Sequence, residues 1–254
     1  MRIGSAVVAA SGVLVLSALA LPAAHADQRY GDTDITGVVV NGGQPVVVGT
    51  AERDVTVKVT ATDPSGLDQI NATLYHGTFA DQDVTVPSAA ACEPTTETTS
   101  TCTLTFTLTP GTVPADGSQA GAWSVSAWAI APDSDAVFLD AAATFDVRRD
   151  TQVTADATPE PVKFGKNLTV KGSVQHADWA AGAYAPAAAG RPVALQFRVA
   201  DCDSWITVKT VKTAADGTVS TTVPALIDGS YRWSWAGTAD TAAAVSAADF
   251  VDVR

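Results

Sequence analysis

Only 3 of the 254 residues are cysteine, 3 are histidine and 1 is methionine. That scarcity excludes the usual zinc centres, which need several His or Cys ligands at short spacings. His76 and His176 stand alone, outside H-E-x-x-H or any related pattern. No G-x-S-x-G occurs, so the common serine-hydrolase route is unmarked. Basic residues are also few, with 15 Lys and Arg against 27 Asp and Glu, a net charge of −12. Without a basic stripe, nucleic acid and anionic membrane surfaces are poor partners. Helical periodicity is missing beyond the first residues, and with it the crossover helices that a parallel sheet requires.

What is present begins with an apolar run from Ala6 to Leu21, after a basic start at Arg2. Pro22 then leads to Ala24-His25-Ala26, a small-x-small cleavage pattern. The expectation is a signal peptide over residues 1–26, removed to release a secreted, extracellular protein with no membrane attachment. Of the cysteines, Cys92 and Cys102 close a Thr-rich excursion, CEPTTETTSTC, and an oxidising compartment favours their pairing. A disulfide across so short a loop stabilises by about 3 kcal/mol in the chain-entropy model. Cys202, in ADCDSW, is left over as a loop residue or a link between molecules.

The rest alternates apolar and polar residues between Gly, Pro, Asn and Asp punctuation. DVTVKVTATD (54–63), TLTFTLTP (103–110), AWSVSAWAI (122–130) and ATFDVR (143–148) are the clearest early runs. NLTVKGSV (167–174), PVALQFRV (192–199), TVSTTVPA (218–225) and YRWSWAG (231–237) continue the pattern. Period two of this length predicts an all-β chain of antiparallel strands in two tandem sandwiches. The break at VRRDTQV (147–153) divides residues 27–149 from 150–254. Between Asp27 and Asp150 there are 17 acids and 5 bases; from Thr151 onward, 10 acids and 9 bases. Nearly all the negative charge therefore belongs to the first domain.

In DGSYRWSWAG (228–237), Tyr231, Trp233 and Trp235 fall on one face of a strand. They are expected to point inward, because the alternative turns Arg232 into the core without a partner. GKNLTVKGSVQHADW, YAPAAAGRPVALQFR, TVKTVKTAADGTVSTTV and DGSYRWSWAGTADT resemble immunoglobulin-like modules in secreted proteins of high-GC Gram-positive bacteria. NGGQPVVVG (41–49) and ATDPSGLDQI (61–70) are similar to another immunoglobulin-like class of such proteins. The resemblance implies export, two immunoglobulin-like sandwiches and a corner in which the Tyr231 hydroxyl bonds the backbone. It implies no settled activity; some relatives carry a provisional calcium label.

Two binding readings follow. In such a sandwich the N-terminal start, the B–C turn and the F–G turn meet at one pole. That placement would gather Asp32, Asp34, Asp63, Asp68, Asp133 and Asp135 as a calcium site, oxygen ligands being what calcium requires. The competing explanation is that aspartate belongs in turns and points into water. The second reading is a binder of cell-wall polysaccharide, or of an extracellular protein, through exposed aromatics. Trp128 lies on the opposite face from Trp123, and Trp179 and Tyr184 lie in the Ala-rich loop ADWAAGAYAPAAAG. A fold-back of Trp179 onto the second core is the alternative for that residue. An enzyme is the weakest reading.

Overall fold

The computed structural model describes residues 27–89, 92 and 98–254. The expected signal peptide lies outside the described residues. Among the described residues no helix is long and apolar enough to cross a membrane.

All eight alternating runs form strands, and the chain folds as two tandem immunoglobulin-like β-sandwiches. In the first, Asp34–Val40, Arg53–Thr62 and Thr99–Leu108 form one antiparallel sheet. The facing sheet runs Gln28–Tyr30, Ala136–Arg149, Gly121–Ile130, Gln69–Thr78, Asp81–Pro87, with Val46–Val48 added in parallel to Ala136–Arg149. The inward residues of Arg53–Thr62 (Val55, Val57, Val59, Ala61) meet Ile70, Leu74, Trp123 and Val125 in a closed core. Cys92 and Cys102 are bonded. Cys102 stands in the three-stranded sheet, while Cys92 exchanges backbone hydrogen bonds with Ile70 opposite, so the bond joins the two layers.

The second sandwich packs Asn167–Asp178, flanked by Thr218–Pro224, against Pro192–Val199 and Gly229–Trp235. Tyr231, Trp233 and Trp235 are buried, as expected from their shared face. Trp233 Nε1–H donates to the Lys171 carbonyl at 3.1 Å and Trp235 Nε1–H to Thr241 at 3.3 Å. Burial thus leaves neither indole unsatisfied. Tyr231 packs on Phe197 with ring centroids 4.7 Å apart. Tyr231 lines an open apolar groove, and its hydroxyl makes no hydrogen bond among the described residues, unlike the implied corner.

The strand Ala136–Arg149 passes into Thr151–Val153 through Asp150 alone. The Asp150 amide donates to Val48 and its carbonyl accepts from Ala177, both at 2.9 Å. Trp179 corrects its expectation as an exposed ligand residue. It is 1% exposed, its indole donates to the Val48 carbonyl at 3.1 Å, and it packs in the first core rather than the second. The Val48 carbonyl, which already accepts from the Asp150 amide, takes the indole N–H as a second donor, so the ring is buried with its one polar group satisfied. Tyr184 is half-buried beside it and donates its hydroxyl to Asp150 Oδ2 at 2.6 Å. Committed to that contact, it is not the free aromatic expected of a ligand platform.

Candidate functional site

The acidic pole is assembled by pairing. Gln28–Tyr30 pairs with Phe138–Ala136, which brings the following turn, Gly31-Asp32-Thr33, against Asp135. Asp34 pairs with Thr62, so Asp63 emerges beside the same turn. Gly31 has φ +71°, and a Cβ there would lie 1.7 Å from Asp135 Oδ2. Only glycine allows that approach.

Asp32, Asp63 and Asp135 each offer a carboxylate oxygen within 4.8 Å of the others. Calcium holds oxygens at about 2.3–2.6 Å, so two ligands on opposite sides of one ion stand about 4.8 Å apart. Asp63 is 1% exposed and fully engaged. Its Oδ2 accepts from the Thr33 hydroxyl at 2.5 Å, and its Oδ1 accepts from the Ser65 amide at 2.7 Å and hydroxyl at 2.6 Å. Burial works to raise its pKa, but these donors outweigh it and hold the carboxyl below the usual range. Asp32 moves the other way. Desolvation first, then the charges of Asp63, Asp135 and Asp133, push it above the usual range. The Asp32 amide donates to Asp135 Oδ2 at 3.0 Å, which holds the two segments together.

The other three aspartates expected here do not join. Asp34 is turned to the exposed Arg29 and forms an ion pair with it. Asp68 is exposed and contributes its amide, donated to the Ile130 carbonyl at 2.9 Å. Asp133 closes its own turn, Oδ1 accepting from the Asp135 amide at 3.2 Å, and acts on Asp32 only through its charge. Turn chemistry claims the Asp133 carboxylate and an ion pair claims that of Asp34. Trp128 lies on the outer face of its sheet, half-buried, stacked with Phe138 at 6.4 Å.

A second cluster went unread in the sequence. Arg198 and Arg232 are diagonal neighbours on the outer face of the second sandwich, since Arg198 pairs with Ser230 and Arg232 with Gln196. Their guanidinium carbons lie 4.9 and 4.0 Å from the ring centroid of Trp205, just before the edge strand Ile206–Lys212. Arg232 Nε donates to Gln196 Oε1 at 2.8 Å. Burial, and then the charge of Arg198, lower the Arg232 pKa. The only signal in the sequence was the outward parity of both arginines on their strands.

A family model described as a family of unknown function (DUF5707) matches residues 44–129, part of the first sandwich. No curated protein matches the chain. Among solved structures, the fibronectin(III)-like modules of Clostridium thermocellum CbhA are 12% identical, with a TM-score of 0.38, over 85% of this chain and 93% of theirs. The D00-D0 domain of Intimin is 15% identical, with a TM-score of 0.29, over 85% of this chain and 99% of that one. PorU from Porphyromonas gingivalis is 14% identical with a TM-score of 0.30, and only 20% of its length is covered. These likenesses carry no functional weight.

Proposed function

We propose that the protein is a secreted, non-enzymatic binding or structural module whose first sandwich is stabilised by calcium. The observation that carries the reading is the convergence of Asp32, Asp63 and Asp135 from three separate segments within 4.8 Å. Their mutual repulsion disfavours the free state, and a divalent cation relieves it. The apolar run and cleavage pattern of residues 1–26 support export, where millimolar calcium suits an extracellular site of modest affinity.

The test is thermal unfolding of residues 27–254 in calcium and in EDTA at matched ionic strength. Calcium at 100 times its Kd adds about 2.7 kcal/mol, a shift of several degrees. Asp32→Asn removes one repelling charge at an exposed position. It is expected to melt at or above the parent temperature in EDTA and to lose most of the calcium shift. An absent shift, or one that survives both Asp32→Asn and Asp135→Asn, overturns the reading.

A further inference from the structure

We infer that the Arg198–Trp205–Arg232 face of the second sandwich binds an anionic polysaccharide, one whose sugar rings bear carboxylate or phosphate groups. The inference does not rest on the calcium reading, which concerns the other sandwich.

Charge comes first. Ion pairs of the described residues engage Arg29, Arg148, Arg149, Arg254 and His76, but neither Arg198 nor Arg232. Arg53, Arg191 and the lysines are likewise absent from these ion pairs, so what sets Arg198 and Arg232 apart is their convergence on the one ring of Trp205. Here two such cations are held together against their own repulsion, with one aromatic ring between their demands. A guanidinium stacked on a ring keeps its N–H groups fixed in direction, and Arg232, whose Nε–H is taken by Gln196, still has its terminal N–H groups for a planar or tetrahedral oxyanion. The −12 of the whole chain does not forbid this. Charges beyond a Debye length of about 8 Å are largely screened, and the segment from Thr151 onward is nearly neutral, with 10 acids and 9 bases.

Shape comes second. Arg198 lines a basin of about 330 Å³ together with Ser230, Phe250 and residues 199–203. Phe250 pairs with Ser230, so it shares the outer face, and it is 52% exposed. An exposed ring and a guanidinium that line one basin match a sugar that offers a flat apolar face and an anionic substituent. Charge density selects among polyanions. Duplex DNA presents a charge every 1.7 Å of axis and calls for many cations. Two arginines suit a polymer with one charge per sugar ring. Asp201 and Asp203 also line the basin and oppose the anion, which sets a modest affinity and supplies a control.

The experiment is affinity electrophoresis of residues 27–254 in EDTA, at low and high salt. The gels contain polygalacturonate, phosphomannan, neutral dextran or poly-glutamate. Retardation is expected with polygalacturonate or phosphomannan, and which of them acts identifies the anion. It should fall with salt and be absent with dextran. The double variant Arg198→Gln/Arg232→Gln should weaken binding at least tenfold, and the Arg198→Lys/Arg232→Lys pair, which keeps charge but loses the planar fork, should fall between. Asp201→Asn/Asp203→Asn should tighten binding, and Lys58→Gln, which removes an exposed cation of the first sandwich, should leave it unchanged. If the Gln pair does not melt as the parent does, the Lys and Asn pairs decide. Four results would each overturn the proposal: no retardation by either acidic polymer, equal retardation by dextran, stronger retardation by poly-glutamate, or arginine variants that bind as the parent does.

Discussion

Gly31 shows how one missing atom sets a site. Its φ of +71° and the 1.7 Å approach of Asp135 Oδ2 leave no room for a Cβ. Gly31→Ala must move either the Asp32 turn or Asp135. The expected outcome is a loss of about 1–2 kcal/mol, from left-handed backbone strain and displaced packing, together with loss of any calcium-dependent melt. Chemical denaturation in calcium and in EDTA reads both. His176 makes a prediction of a different kind. It is buried at the domain junction, at 3.0 Å from Thr151 Oγ1, with its ring 5.1 Å from that of Trp235. Burial first, then the charge of Arg149, push its pKa down to about 4, against the opposing pull of Asp240. The unfolded chain, with a histidine pKa near 6.5, takes up a proton that the folded one refuses. Stability is therefore full above about pH 6.5 and declines as the pH falls toward 4. Melting temperatures recorded from pH 7 to 4 should show that decline, and His176→Asn should flatten it.

At the scale of elements, alternation made the strands legible. Asn167–Asp178 and Pro192–Val199 begin where the period-two runs begin, because one face of each strand must be buried and the other wet. Ile206–Lys212 escaped notice. It is an edge strand exposed along nearly its whole length, so burial imposes little pattern on it. The acidic pole was half legible for a related reason. Sequence expected Asp32 and Asp34 ahead of the first strand and the other four aspartates in turns; Asp34 instead opens the strand Asp34–Val40, and backbone placement leaves each side chain to its local partners. Asp34 found Arg29, and Asp133 found the amide two residues on. The Arg198–Trp205–Arg232 stack was not legible, since it depends on strand register across the sheet. Trp179 misled because its loop composition reads as exposed, while its destination is the carbonyl of Val48, 131 residues earlier.

For the whole molecule, that indole is the point where the two sandwiches share a core. Trp179 belongs to the second by sequence and to the first by packing. The Arg149–Asp240 ion pair at 2.8 Å and the Tyr184–Asp150 hydrogen bond at 2.6 Å flank it. Trp179→Ala should cost about 3–5 kcal/mol, as buried Trp truncations do. The loss should surface in the first sandwich, as faster amide hydrogen exchange at Val46–Val48. Unchanged exchange there would mean that the indole matters only to its own loop.

The strand Ala136–Arg149 begins directly after Asp135 and ends at the residue that pairs with Asp240. At about 3.3 Å per residue its 14 residues measure out roughly 46 Å. Along the way Asp140, Ala141 and Ala142 face the single residue Ser126, because Ala127 pairs with Leu139 and Val125 with Ala143. The surplus is two, an even number, so Val137 before it and Val147 after it both still point into the core. The strand thus obeys a rule of parity. Adding or deleting two residues near Ala141 would change its length and spare both ends. Adding one would turn either the acidic tip or Arg149 to the wrong face, however conservative the inserted residue.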